Sequence, residues 1–123
     1  MINHVTVLVT THYLKDQSFP EEQRFVFSYH VTIKNQGEQA ARLLARHWVI
    51  TDGNEKVQEV KGQGVIGETP ILQPGEKFEY SSAAILQTAV GIMQGNYKMI
   101  AEDGTEFLAV IDPFTLAVPY QVH

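Results

Sequence analysis

Arg24-Phe25-Val26-Phe27-Ser28-Tyr29-His30-Val31-Thr32-Ile33-Lys34 is the stretch on which the fold of this 123-residue chain turns. Phe25, Phe27, Tyr29, Val31 and Ile33 share one parity; Val26, Ser28, His30, Thr32 and Lys34 share the other. Successive side chains of a β-strand point to opposite faces, so this alternation predicts a strand with one face on a core and one near water.

The same period of two extends outward in both directions. His4 to Thr11 alternates through Val5, Val7 and Val9 and reads as a first strand, separated from the second by a polar loop over Lys15 to Glu22. Asn35-Gln36-Gly37 supplies turn residues, and Ala41 to Thr51 is the next strand, with Trp48 and Ile50 on one parity. Arg42 and Arg46 share that parity, which calls for either a bulge or a place at the sheet margin. Asp52-Gly53 predicts a hairpin returning through Lys56 to Val60. After Pro70 and the Leu72-Gln73-Pro74-Gly75-Glu76 turn, Phe78 and Tyr80 mark a short strand, and Ala83 to Val90 is the one stretch suited to a helical turn. Asp103-Gly104 joins Asn96–Glu102 to Thr105–Ile111 in a second hairpin, and Phe114, Leu116 and Val118 add a last strand. Many short strands with regular turns predict an all-β fold: an immunoglobulin-like or fibronectin type III-like β-sandwich of seven to eight antiparallel strands. Trp48 on the third strand is expected between the sheets. Gly95-Asn96-Tyr97-Lys98-Met99 reads as a late strand bearing a tyrosine corner, with Met99 where antibody domains place a cysteine.

The length fits one domain over residues 1–123 with a core of its own. A formal charge of -5 weighs against nucleic acid and anionic membrane as partners, since phosphate contacts need a basic surface. The absence of cysteine excludes disulfides, thiolate catalysis and cysteine-held zinc. Neither a leader peptide nor a membrane-spanning run is visible, so a cytoplasmic protein is expected.

One stretch advertises chemistry. Gly62-Gln63-Gly64-Val65-Ile66-Gly67 is a complete G-x-G-x-x-G. A dinucleotide fingerprint must follow a strand and open a helix, yet Pro70, Pro74 and Gly75 forbid the helix. The favoured reading is glycines that permit positive φ or close backbone approach in a sharp crossover. The second is a nest of amides from Gly62, Gln63, Gly64 and Gly67 that holds a phosphate or nucleotide anion.

Other candidates carry less. His4, His12, His30, His47 and His123 lack metal-ligand spacing, although His30 and His47 fall on neighbouring strands. Glu102, Asp103, Glu106 and Asp112 gather near the last hairpin, where a hard cation would bind weakly, without a calcium-loop pattern. Ser81-Ser82 has no nucleophile elbow and no histidine–aspartate partner nearby in sequence. Glu76 and Glu79 lie in an ordinary turn and strand. Arg42, Arg46 and His47 beside Trp48 would be the nucleic-acid surface if there were one. No catalytic residue, metal site or cofactor is expected. A sandwich still offers rigid loops and unpaired edges for binding, including the Ser18-Phe19-Pro20 loop with Phe19 as an anchor or a plug.

Arg46-His47-Trp48-Val49-Ile50-Thr51-Asp52-Gly53, Glu59-Val60-Lys61 running into the glycine motif, and Leu72-Gln73-Pro74-Gly75-Glu76-Lys77-Phe78-Glu79-Tyr80 together resemble the ApaG family. Gly91-Ile92-Met93-Gln94-Gly95-Asn96-Tyr97-Lys98-Met99 and Phe114-Thr115-Leu116-Ala117-Val118-Pro119 continue the likeness over nearly the whole chain. It departs from the family pattern at Ala89-Val90 and at Ile111-Asp112-Pro113-Phe114. The resemblance implies a fibronectin type III-like domain of a small bacterial protein. Eukaryotic F-box and polymerase-delta-interacting proteins carry the same domain as an interaction module. It also implies an association with cobalt resistance and magnesium efflux. The resulting expectation is a non-enzymatic protein-binding domain, with divalent-metal sensing as an alternative and a homodimer through a sheet edge open to it.

Overall fold

The computed structural model describes residues 2–119. Eight strands follow in order: β1 (Val5–Tyr13), β2 (Phe25–Asn35), β3 (Ala41–Asp52), β4 (Val57–Gln63), β5 (Ile71–Leu72), β6 (Lys77–Leu86), β7 (Val90–Ala101) and β8 (Glu106–Ala117). Two single-turn 3₁₀ helices, Lys15–Gln17 and Pro20–Glu22, occupy the loop between β1 and β2. One sheet is ordered β1-β2-β6; the other is β4-β3-β7-β8, with β5 added on β3 beyond the end of β4. All pairings between these strands are antiparallel.

The β2 alternation does what its sequence predicts. Phe27, Tyr29, Val31 and Ile33 are buried in the core with Leu43, Trp48, Tyr97, Met99, Ile111 and Leu116 from the facing sheet. Trp48 lies edge-on to Tyr29, Tyr97 and Phe114, with ring centroids 5.4, 6.2 and 5.9 Å away. Such edge-to-face pairs add to the burial of large rings and fix their orientation.

Two bulges re-aim strands. On β3 the register against β7 shifts between Leu43 and Ala45, which moves the core-facing parity from Ala41 and Leu43 to Trp48 and Ile50. The bulge explains the awkward arginines: Arg42 is exposed ahead of it, and Arg46 reaches the sheet margin beyond it. On β8, Asp112 and Pro113 together oppose Gln94, a place where proline is tolerated because an edge bulge needs no ladder donor.

The structure corrects several sequence expectations. Ala83–Leu86 is not a helical turn but the second half of β6, where Ala84 and Leu86 alternate into the core against β2. β7 begins at Val90 rather than Asn96, and Phe114 to Leu116 continues β8 rather than forming a separate strand. Asn35 is more than a turn residue. Its buried amide donates to the Gln39 and Leu72 carbonyls at 2.9 and 2.8 Å, and its Oδ1 accepts the Gly37 N–H at 2.9 Å. Buried polar groups persist where every bonding capacity is met, so Asn35 locks the end of β2 to β5.

The sandwich is closed on one side and open on the other. β1 and β8 pack against each other and cover one pair of edges. On the far side the edges of β4 and β6 lie unpaired among the described residues, with a groove between them.

Candidate functional site

The glycine motif is half strand and half turn. Gly62 and Gln63 end β4, opposite Arg46 and Ala45 of β3. The chain then makes a tight hairpin, in which Val65 N–H donates to Glu68 O at 2.9 Å and Glu68 N–H to Val65 O at 2.8 Å. The two residues at its tip, Ile66 and Gly67, have φ of 42° and 77°. Two-residue hairpins of this twist need positive φ at both central positions. Gly67 meets that need freely; Ile66, β-branched and 58% exposed, does not.

Each glycine has its own reason. A Cβ on Gly64 would stand 2.2 Å from the Glu68 carbonyl oxygen. One on Gly62 would stand 2.6 Å from the Arg46 guanidinium carbon, which lies across that position. The Arg46 guanidinium donates to the Gln63 and Gly64 carbonyls at 3.1 and 3.0 Å. Meanwhile the Gly64 N–H is directed to the Leu44 carbonyl at 2.8 Å, at the β3 bulge. The outcome of this folding is that Val65, wholly buried, is inserted into the core beside the bulge. Of the proposed anion-nest residues, Gly64 thus has its amide committed to the backbone, while Gly67 sits at the open tip.

The strain at Ile66 leads to a prediction. A left-handed conformation costs an ordinary residue about 1–2 kcal/mol, and asparagine least among non-glycine residues. Ile66→Asn is therefore expected to stabilise the domain by roughly 1 kcal/mol, a rise in Tm of about 3–6 °C. Calorimetry of the two proteins checks it, and a lowered Tm would contradict the turn geometry.

Beside the hairpin opens the groove between β4 and β6. A cavity of about 350 Å³ has Tyr29, Trp48 and Met93 at its floor and Val60 and Ile85 at the two edges, with Arg46, Gln58 and Ser82 as its polar lining. A second hollow of about 340 Å³ continues it along Val57, Gln58 and Leu86. Ile85 and Val57 stand exposed on its rims. Aromatic and aliphatic side chains with few polar groups are the usual lining of a recognition site.

Deeper along this side, the hydroxyls of Tyr80 and Tyr97 hydrogen-bond across the two sheets. Tyr97 is therefore not a tyrosine corner bonded to its own backbone; it ties β7 to β6. Burial pushes the Tyr80 phenol up to about 12, against the partly offsetting Tyr97 hydrogen bond, and burial pushes Tyr97 higher still. A tyrosine in the unfolded chain releases its proton near pH 10. Between pH 10 and about 12 the unfolded chain thus binds fewer protons than the folded one, and stability falls as pH rises. The stabilisation from each phenol, complete below pH 10, is expected to drop by roughly 2–3 kcal/mol by pH 12. Urea unfolding at pH 8 and 11.5 measures it. The Y80F/Y97F double variant, which removes both hydroxyls together, should flatten the dependence at little cost at pH 8.

The structure also assembles a cluster that the sequence conceals. On the outer face of the three-stranded sheet, His30 Nδ1 lies 2.9 Å from Ser81 Oγ and His30 Nε2 lies 3.2 Å from Glu79 Oε1. Thr32 donates to the same Glu79 oxygen at 3.3 Å. The connectivity is that of a serine–histidine–carboxylate chain, but it lies on an open face, with His30 and Glu79 each 44% exposed. Only the strand register, pairing His30 with Ser81, makes it visible. The His30 hydrogen bond and then Lys77 hold the Glu79 carboxyl below its usual range.

His30 and His47 do not meet, because they lie on different sheets. His47 bonds instead to Glu59 at 2.7 Å on the outer face of the larger sheet. That bond, with Lys61 second, lowers the Glu59 pKa. Of the acidic residues around the last hairpin, Glu106 pairs with Lys98 at 3.1 Å and Asp103 accepts the Thr105 N–H at 2.9 Å. Among the described residues no three metal-ligating side chains converge. His123 lies outside the described residues. Phe19 is exposed in its loop, which is closed by backbone bonds to Arg24. Among the described residues no helix is long and apolar enough to cross a membrane.

Residues 15–101 match the ApaG domain family. Over 119 residues the chain is 57% identical to Protein ApaG of Thiobacillus denitrificans and 55% identical to Protein ApaG of Pseudomonas fluorescens, covering 97% of this chain and 94% of each relative. The crystal structure of an ApaA protein from Bordetella pertussis superposes with a TM-score of 0.94 at 47% identity, and 97% of each chain is covered.

Proposed function

We propose, from the premise that this chain belongs to the ApaG domain family, that it is a non-enzymatic cytoplasmic domain that binds other proteins through the open side of its sandwich. The observation that carries the reading is the asymmetry of the sandwich: one pair of edges is sealed by β1 and β8, and the other flanks a groove with an aromatic floor. An extended segment of a partner would add main-chain hydrogen bonds to the free β6 edge and lay alternate side chains into the groove. Such binding needs no reacting group, in keeping with a groove whose floor is Tyr29, Trp48 and Met93. The three-plus-four order of the long strands supports the fibronectin type III-like reading of the domain. The family's association with cobalt resistance and magnesium efflux would then act at one remove, through the bound partner.

A photo-crosslinking amino acid at Ile85, on the rim of the groove, tests this in the native cell. Its control is the same residue at Leu8, also exposed, on the outer face of the same sheet. A specific adduct with another protein is expected from position 85 and not from position 8. Equal labelling at both, or none at 85, would remove the groove from the account.

A further inference from the structure

The free edge of β4 is self-complementary. Its seven residues run Val57-Gln58-Glu59-Val60-Lys61-Gly62-Gln63, with Val60 at the centre. A second copy laid antiparallel about a two-fold axis at Val60 would set Glu59 opposite Lys61 of the second copy, and Lys61 opposite its Glu59. Residues directly opposite on antiparallel strands share a face, and opposite charges there attract. Glu59 and Lys61 both lie exposed on the outer face, while Val60 and Gly62 face the groove side. We propose that this protein forms a two-fold symmetric dimer by antiparallel pairing of β4 with β4 of a second copy. The two larger sheets become one continuous sheet across the dyad.

Several features of the edge favour this occupant. Among the described residues nothing pairs with the strand on that side. Glu59 is held in place from its own subunit by His47, 2.7 Å away, and still exposes a carboxylate oxygen to the approaching Lys61. Gln58 would face Gly62, over which the Arg46 guanidinium of the same subunit lies. Arg46 occupies the Gln63 carbonyl, so the paired stretch runs from Gln58 to Gly62. The other free edge, β6, lacks this symmetry. Its only comparable pair, Lys77 and Glu79, flanks Phe78 at the very start of the strand, where a dyad would pair just three residues. An isologous contact of this kind closes on itself and stops at two copies.

The dimer is independent of whether the groove holds a partner, and its test is separate. Sedimentation equilibrium of the wild type should show a concentration-dependent dimer. Lys61→Glu places like charges opposite one another twice, and should weaken dimerisation by about tenfold. The double swap E59K/K61E restores opposite charges about the same axis and should recover most of the loss, which a merely misfolded single variant would not. The chain has no native cysteine, so Val60→Cys introduces one thiol per copy. Cross-strand Cα separations at a directly opposed pair lie in the range a disulfide spans, so the V60C protein should oxidise to a linked dimer. Ser82→Cys, on β6, should not. A wild type that stays monomeric at millimolar concentration overturns the proposal. So does a double swap no better than the single, or a disulfide at position 82 in preference to 60.

Discussion

Replacing Trp48 by alanine is expected to cost about 3–5 kcal/mol, the range for deleting a large buried aromatic side chain. The magnitude follows from its neighbours. The indole is 2% exposed and stands edge-on to Tyr29, Tyr97 and Phe114, three rings from three other strands. It also floors the groove, so the void left behind would open toward solvent at the side where β4 and β6 do not meet. A domain of this size has about 5–15 kcal/mol in total, so the loss would be a large share of it. Tm should fall by roughly 10–25 °C, given the few degrees that each kcal/mol shifts a domain of this length. Because Trp48 is the chain's single tryptophan, the transition must be followed by circular dichroism or calorimetry. Trp48→Phe keeps an aromatic ring in place and should cost less than half as much. A W48A protein as stable as the wild type would mean that the three surrounding rings close over the space unaided.

The second large effect is at Gly64. Its φ of 63° disfavours any side chain, and a Cβ would stand 2.2 Å from Glu68 O and 3.0 Å from Glu68 C. Those are backbone atoms of the hairpin itself, so no rotamer change relieves the clash. Relief requires breaking the Val65–Glu68 hydrogen bonds, which seat the fully buried Val65. Gly64→Ala should therefore cost about 3 kcal/mol or more, combining the left-handed penalty with forced backbone movement. Gly67→Ala is the comparison. Its φ is 77°, yet nothing lies within 4 Å of the added carbon, so only the conformational cost of about 1 kcal/mol remains. Chemical denaturation of the two variants separates the effects. Similar costs would show that close backbone approach is not what Gly64 serves.

These two sites mark where sequence reasoning reaches and where it stops. Trp48 was legible as core because its parity with Ile50 in an alternating run says which face it occupies. The glycine motif was legible as a crossover because prolines downstream forbid the helix that a phosphate loop needs. What Gly64 avoids was not legible, since Glu68 O reaches it only through a turn in which a β-branched isoleucine takes positive φ. The Ser81–His30–Glu79 chain escaped for a similar reason. Its members are 51 and 49 residues apart and meet only through the β2–β6 register. In the stretch from Ala83 to Val90 alanine favours a helical turn on local propensity, whereas pairing with β2 and burial of Ala84 and Leu86 make its first half strand.

The sequence by itself therefore determined the class of fold, the strand faces and most of the core. Period-two alternation is a local property, and one face of every long strand must leave water. Only the tertiary structure decided which edges are sealed. Whether β1 meets β8 while β4 and β6 stay apart depends on how two twisted sheets stack, a relation between residues distant in the chain. The bulges at Leu44 and at Asp112-Pro113 help to set that relation, and each is a mismatch between two strands that neither strand encodes alone. The open groove and the self-complementary β4 edge both arise at that level.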